Sequence, residues 1–178
     1  MARDIIVRQL GIADLDAYFQ LRLRGLAEHP EAFGRSYAET VANGPEQYRQ
    51  TLEGKAADEG RFILGASLPH DAGEGPLVGT VALIREQNER GRHKASAVAM
   101  YVASEAAGRG VGRALLEALL ARATRIDGLR QIQLVVSSTN LAARGLYESL
   151  GFVAYGHERE SMRVGDTFYD ADLMACFL

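Results

Sequence analysis

The chain has 178 residues, a single cysteine, four prolines and no excess of positive charge. Each shortage excludes something. With Cys176 alone, neither a disulfide framework nor a cysteine-based zinc pattern can form within one chain. Cys176 lies in the apolar run "LMACFL", which predicts a buried structural thiol rather than a nucleophile. The formal net charge of −3 argues against a general nucleic-acid binder, because neutralising phosphates takes a clear basic excess. No apolar run reaches membrane-spanning length, and the opening "MARDIIVRQLG" lacks the apolar core of a signal peptide. Internal repeats and low-complexity tracts are missing as well. The expectation is a cytoplasmic protein with neither nucleic acid nor membrane as partner.

What is present is ordinary in amount and specific in arrangement. Hydrophobic residues make up 47% and charged residues 24%, as in soluble globular domains. The length predicts one domain over 1–178 with a sizeable core. "DIIVRQL" reads as an opening strand. "ADLDAYFQLRLRGLAEH" has helical spacing, with Leu15, Tyr18, Phe19, Leu23 and Leu26 on its apolar face. Pro30 ends it. "EAFGRSYAETVANG" is a loop passing into a short helix, and "PEQYRQTLEGKA" is a second helix opened by Pro45. "RFILGAS" and "PLVGTVALIRE" are strands around the loop "LPHDAGEG", and "ASAVAMYV" is a third. A helix follows from about Gly110 to Arg125, then the strand "LRQIQLVVS", the helix "NLAARGLYESL", and the strands "FVAYGHE" and "DTFYDADLMACFL". In the strand at 130–136, Ile132, Leu134 and Val136 share one face and Gln131 and Gln133 the other. Hairpins in the middle and crossovers later predict an α+β fold, a mixed sheet with helices on both faces.

The most informative stretch is "AAGRGVGRALLEALL", where Gly108, Gly110 and Gly112 stand between a strand and a helix. A helix N-terminus offers backbone N–H groups without intrahelical partners and the positive end of the helix dipole. Bare backbone there lets an anion approach, so the turn reads as a pyrophosphate cradle; it also reads as a tight packing turn. A P-loop needs Gly-Lys-Ser/Thr, whereas Gly112 is followed by Arg113 and Ala114. A dinucleotide fingerprint needs glycine three positions after Gly110, where Arg113 stands. The phosphate ligand left is coenzyme A. Further on, Asn140, Ala143 and Tyr147 share a helix face by spacing. Spacing alone allows Asn140 to be an N-cap and Tyr147 a core aromatic.

"MYVASEAAGRGVGRALLEALL" followed by "LVVSSTNLAARGLYESLGF" resembles the GNAT superfamily of acyl-CoA N-acyltransferases. Strand, glycine turn and helix match residues 98–120. The second cofactor segment matches Asn140, Leu146, Tyr147, Glu148, Gly151 and Phe152. There are departures. In the natural register Ala107 stands at the family's Gln/Arg position, with Gly110 and Gly112 matching; shifted by two, Arg109, Gly112 and Ala114 match instead. Ser104 stands where a proline is common.

The resemblance implies a central sheet of about six to seven strands and direct acetyl transfer from acetyl-CoA to an amine, with no metal. Tyr101 and Val102 would hold the pantetheine arm, with a backbone N–H near Val102 on the thioester carbonyl. Arg109, Gly110, Val111, Gly112, Arg113 and Ala114 would hold the pyrophosphate. Asn140, Ala143 and Tyr147 would complete the cofactor site, with Tyr147 protonating the departing thiolate. The acceptor is a small-molecule or peptide amine, and the family admits a homodimer. Glu31, Phe33, Glu39 and Asp170 are candidate acceptor-binding residues. The strand 95–102 carries no acid where relatives often place one. Glu28, Glu31, Glu39, Asp170 and His93 are therefore the candidates for proton removal, and a water route without one indispensable carboxylate is expected. The missing acid also leaves room for a weakly catalytic CoA-binding sensor.

Overall fold

The computed structural model describes residues 5–70 and 73–178. Its strands are β1 (Ile6–Gln9), β2 (Arg61–His70), β3 (Gly73–Arg85), β4 (Lys94–Val102), β5 (Gln131–Ser137), β6 (Val153–Val164) and β7 (Thr167–Phe177). Its helices are α1 (Leu15–Glu28), α2 (Tyr37–Asn43), α3 (Arg49–Leu52), α4 (Val111–Ala123) and α5 (Leu141–Ser149). The strands form one seven-stranded sheet in the order β1-β2-β3-β4-β5-β7-β6. Only β4 and β5 run parallel; every other pairing is antiparallel. This is the mixed α+β sheet expected.

Alternation along the strands decides which helix covers which face. Phe62 and Leu64 of β2 and Val81 and Leu83 of β3 share a cluster with Leu115, Leu116 and Leu119 of α4. Their neighbours Ile63 and Ala82 pack instead with Leu15 and Tyr18 of α1. Each of those α4 leucines is fully buried, which contributes roughly 1.5–3 kcal/mol apiece. On β5, Ile132, Leu134 and Val136 are all buried, as their spacing predicts.

Several expectations need correction. The segment 45–56 is not one helix: a 3-10 turn at Pro45–Tyr48 leads into the single turn of α3. Gly54, at φ +73°, ends it, because a left-handed residue cannot continue a right-handed helix. The expected loop 68–75 is largely strand, with Pro69 opposite Glu74 and His70 opposite Gly73; its residues 71 and 72, like residue 4 of the opening strand, lie outside the described residues. β6 runs to Val164 through a bulge in which Glu160 has φ +51°. Asp170 holds that bulge by accepting the Glu160 N–H at 2.8 Å. On α1, Phe19 and Leu23 are only half-buried, whereas Leu21, Arg22 and Gly25 are buried. Cys176 is a buried free thiol, and burial pushes its pKa up.

Gly25 is where α1 comes closest to the Tyr101 ring. A Cβ there would lie 2.9 Å from Tyr101 Cγ. The ring cannot retreat easily, because its hydroxyl donates to Glu28 Oε2 at 2.7 Å. Gly25→Ala is therefore expected to destabilise the protein by about 1–3 kcal/mol through overpacking, despite alanine's better helix propensity. Urea denaturation checks this, and a stability gain would show that the helix can shift without cost.

Candidate active site

The parallel ladder of β4 and β5 is short. Lys94, Ala95 and Ser96 face Gln131, Ile132 and Gln133, and beyond them the strands part. Past Ser96, β4 pairs only with β3 on its other side, and β5 only with β7. The edges they turn towards each other are unpaired. β4 also bulges: Thr80 faces Tyr101 and Ala82 faces Val98, so Ala99 and Met100 together oppose Val81. Ala99 has φ +56°, a strained value for a residue with a Cβ. The bulge thus falls two to three residues before Val102, where the carbonyl-polarising N–H was expected.

A slot of about 570 Å³ fills the gap between the strands. One end is the glycine turn. Gly110 caps α4 in the left-handed conformation, at φ +85°, and Gly108 shares it at φ +70°. The first intrahelical bond runs from Ala114 N to Gly110 O at 3.0 Å. The N–H groups of Val111, Gly112 and Arg113 precede it and have no intrahelical acceptor. These residues line the slot together with Ala107, Gly108 and Gly110. A Cβ on Gly112 would come within 3.2 Å of Leu146 Cδ2 and Met100 Cε, so this glycine also serves packing.

The other wall comes from α5. Asn140, Ala143, Leu146 and Tyr147 all line the slot. Asn140 caps the helix, its Oδ1 accepting the Ala143 N–H at 3.1 Å. Tyr147 is 7% exposed, and its ring meets Phe152 edge-on. Its hydroxyl makes no hydrogen bond among the described residues, and burial pushes its pKa up to about 12.

Two residues expected at the cofactor site do not line the slot. Arg109 is exposed and does not line the slot. Ala114 does not line it either, because its N–H is spent inside the helix. Of the two registers of the family turn, the one using Ala107, Gly110 and Gly112 has all three residues on the slot. Tyr101 lines the slot, but its hydroxyl is tied to Glu28, which leaves ring and backbone. Val102 lines it as expected.

A larger cavity of about 790 Å³ lies on the N-terminal side. It shares Phe33, Ala97, Val98, Ala99, Leu134 and Val135 with the slot, so the two meet where the strands part. Glu31, Phe33 and Asp170 line it. Glu39 does not: its carboxylate accepts the Ser36 N–H at 2.8 Å in the capping box of α2, a correction to its expected acceptor role. Glu28 is likewise committed, to Arg24 and Tyr101, and exposed His93 lines neither cavity. Asp170 gives one oxygen to Glu160 N and the other to His157 Nε2 at 3.1 Å, so its carboxylate serves β6 before any ligand. Sequence reasoning missed Arg22, Arg35, Tyr48 and Tyr169, which also line this cavity. For Arg22 a signal existed, since it falls seven residues after Leu15 and four after Tyr18, on the apolar stripe of α1.

The slot thus lies between parted parallel strands, with free helix N–H groups at one end and the Tyr147 phenol in its wall. The chain belongs to the acetyltransferase (GNAT) family, whose sequence profile matches residues 18–152. Enzymes of this family use acetyl-CoA. A mycothiol acetyltransferase from Beutenbergia cavernae is 35% identical over 118 residues, which span 65% of this chain and 38% of that protein. The chain therefore spans well under half the length of that relative. A GNAT-family acetyltransferase from Streptococcus pneumoniae superposes with a TM-score of 0.85 at 23% identity, covering 98% of this chain and all of the other (100%). The putative acetyltransferase yncA from Salmonella typhimurium, solved with acetyl-CoA, superposes with a TM-score of 0.78 at 20% identity, covering 98% and 94%. Among the described residues, no helix is long and apolar enough to cross a membrane.

Beside the slot, His157 of β6 bridges two carboxylates of β7. Its Nδ1 meets Asp172 Oδ1 at 2.8 Å and its Nε2 meets Asp170 Oδ2 at 3.1 Å. Arg144 of α5 donates to the other Asp172 oxygen at 2.7 Å. With an acceptor at each ring nitrogen, the doubly protonated imidazolium is favoured. Asp172 first, then Asp170, raise the His157 pKa, and His157 in turn lowers that of Asp172. The folded state holds this proton more tightly than the unfolded chain. The stabilisation is thus complete below about pH 6.5, the ordinary imidazole value, and fades as pH climbs through the raised one. An NMR titration of the His157 ring protons should give a midpoint above 6.5 that falls in Asp172→Asn. A midpoint at or below 6.5 would show that the bridge is not charged.

Proposed function

We propose that the protein transfers the acetyl group of acetyl-CoA directly to an amine seated in the larger cavity. The observation that carries this reading is the meeting of the two cavities at Ala97–Ala99, where β4 leaves β5. A donor in the slot and an acceptor in the cavity meet there without a covalent enzyme intermediate. The free N–H groups at Val111–Arg113 suit a pyrophosphate, and the unpaired strand edges suit the amide groups of pantetheine. The bulge at Ala99 and Met100 puts irregular backbone where the thioester carbonyl would need a hydrogen-bond donor.

In this reaction the neutral amine nitrogen attacks the carbonyl carbon, the carbon–sulfur bond breaks, and the sulfur leaves with its electron pair. Tyr147 faces that sulfur. With its pKa pushed up to about 12, the phenol stays protonated at every working pH. It also holds its proton more tightly than an ordinary thiol, whose pKa is about 8.5. Tyr147 therefore acts chiefly by hydrogen-bonding the sulfur as charge develops, and the thiolate takes its proton in the end from water. The attacking nitrogen loses its own proton to water in the cavity. β4 offers no acid for that task, while Glu39 and Asp170 have structural partners.

Free-thiol release from acetyl-CoA across an amine library tests the reading; calorimetric binding of acetyl-CoA without turnover of any amine would make the protein a sensor instead. Tyr147→Phe should lower kcat by about 10²-fold with acetyl-CoA affinity retained. In the wild type the rate should rise with pH as free amine accumulates, with no fall near pH 10 from ionisation of Tyr147. An unchanged kcat in the variant, with chemistry rate-limiting, would return Tyr147 to a packing role.

The water route makes a separate prediction. Glu31→Gln, Glu39→Gln and Asp170→Asn should each keep substantial kcat. A loss of about 10³-fold in one of them, at unchanged substrate affinity, would identify a dedicated base.

A further inference from the structure

Arg22 carries a buried charge without a hydrogen-bonded partner among the described residues. The residue is 7% exposed, and its Nε and Nη1 are buried without a hydrogen-bond partner among the described residues. Its guanidinium carbon lies 4.6 Å from the centre of the Phe33 ring, and both side chains line the larger cavity. A cation over an aromatic face gains some energy, but the guanidinium N–H groups stay unsatisfied. Burying a charge without a hydrogen-bonded partner is costly, so folds keep such a group where a ligand completes it.

The surroundings narrow that ligand. Among the described residues no carboxylate pairs with Arg22, although Glu31 lines the same cavity. Arg35, the next arginine in the wall, is hydrogen-bonded to Gln47 Oε1 at 2.9 Å. Glu158 and Asp170 line the cavity too, and their negative charge disfavours a dianion such as a phosphate ester. A planar monoanion matches the guanidinium fork. The position is right as well. Ala99, the bulge residue shared with the slot, packs against the cluster that contains Tyr18, one helical turn before Arg22.

Building on the acetyl-transfer reading, we infer that the acceptor is an amino acid, its carboxylate held by Arg22 and its amine directed to the β4 bulge. Glu31 is the acid on the same wall available to the amine while it is still protonated. Polyamines and other purely cationic acceptors are disfavoured, because they would bring more positive charge to an unpaired guanidinium.

The test uses matched acceptors: the twenty L-amino acids, β-alanine and γ-aminobutyrate, each beside the amine that lacks its carboxylate, with free-thiol release from acetyl-CoA as readout. For the preferred amino acid, the wild type should favour the carboxylated member by about 10- to 100-fold in kcat/KM, mostly through KM. Arg22→Met should erase that preference while still acetylating the decarboxylated amine, and Arg22→Lys should keep part of it. Without ligand, Arg22→Met should melt higher than the wild type, because an unpaired charge leaves the interior. If Arg22→Met does not fold, the wild-type comparison and Arg22→Lys decide. Equal rates for both members of every pair overturn the carboxylate assignment and leave acetyl transfer standing. Thiol release from neither set overturns both. A lower melting point with the preference intact makes Arg22 a structural residue and overturns the inference.

Discussion

Three residue pairs into their ladder, β4 and β5 separate, and the rest of the site depends on that break. An unpaired strand edge in a protein interior costs free energy unless something satisfies it. Here the exposed edges become walls. The parting opens the slot, brings the N-terminus of α4 to one end, and lets the second cavity reach the same stretch of β4 from the other side. The bulge at Ala99 and Met100 belongs to the same event, since β4 keeps its pairing to β3 only by slipping one residue.

The two cavities differ in how they hold charge. The slot relies on backbone: free N–H groups at α4, unpaired strand edges, and one phenol whose pKa burial raises. Such a site depends on backbone geometry and tolerates changes of side chain. The larger cavity relies on side chains, with acids and arginines in its lining. Most of these charges already have partners: Arg35 has Gln47, Asp170 has His157 and the Glu160 N–H, and Glu158 accepts from Ser161 Oγ. Arg22 stands apart because its Nε and Nη1 are buried without a hydrogen-bond partner among the described residues. Specificity is read where a polar group is left for the ligand to complete.

Around the site, polar contacts hold its walls in place. Arg24 of α1 reaches both oxygens of Glu105, at 2.8 and 2.6 Å, just before the glycine turn. Glu28 of the same helix holds the Tyr101 hydroxyl at the end of β4. The exposed Arg24–Glu105 pair adds little stability by itself. The effect of these contacts is positional, joining α1, which carries Arg22, to the strand and turn that carry the donor slot.

The sequence by itself determined the order of most elements, the buried face of β5, the place of the glycine turn before α4, and the joint presence of Asn140 and Tyr147 on α5. All of these follow from short-range rules of periodicity, capping and the conformational freedom of glycine. It also contained Arg22 at stripe spacing, but an arginine on an apolar face reads as a surface residue until its surroundings are known. The capping role of Glu39 was legible too, since Ser36 and Glu39 stand at capping-box spacing. Only the tertiary structure decided that Asp170 is a bulge holder, that Arg109 and Ala114 miss the slot, and that Tyr169 and Arg22 line the larger cavity. The reason is physical. A carboxylate's role depends on which donor lies within about 3 Å of it, and for Asp170 that donor sits ten residues away on a partner strand. Where two strands stop pairing is likewise a property of the whole sheet, set by packing on both faces rather than by any run of residues within either strand.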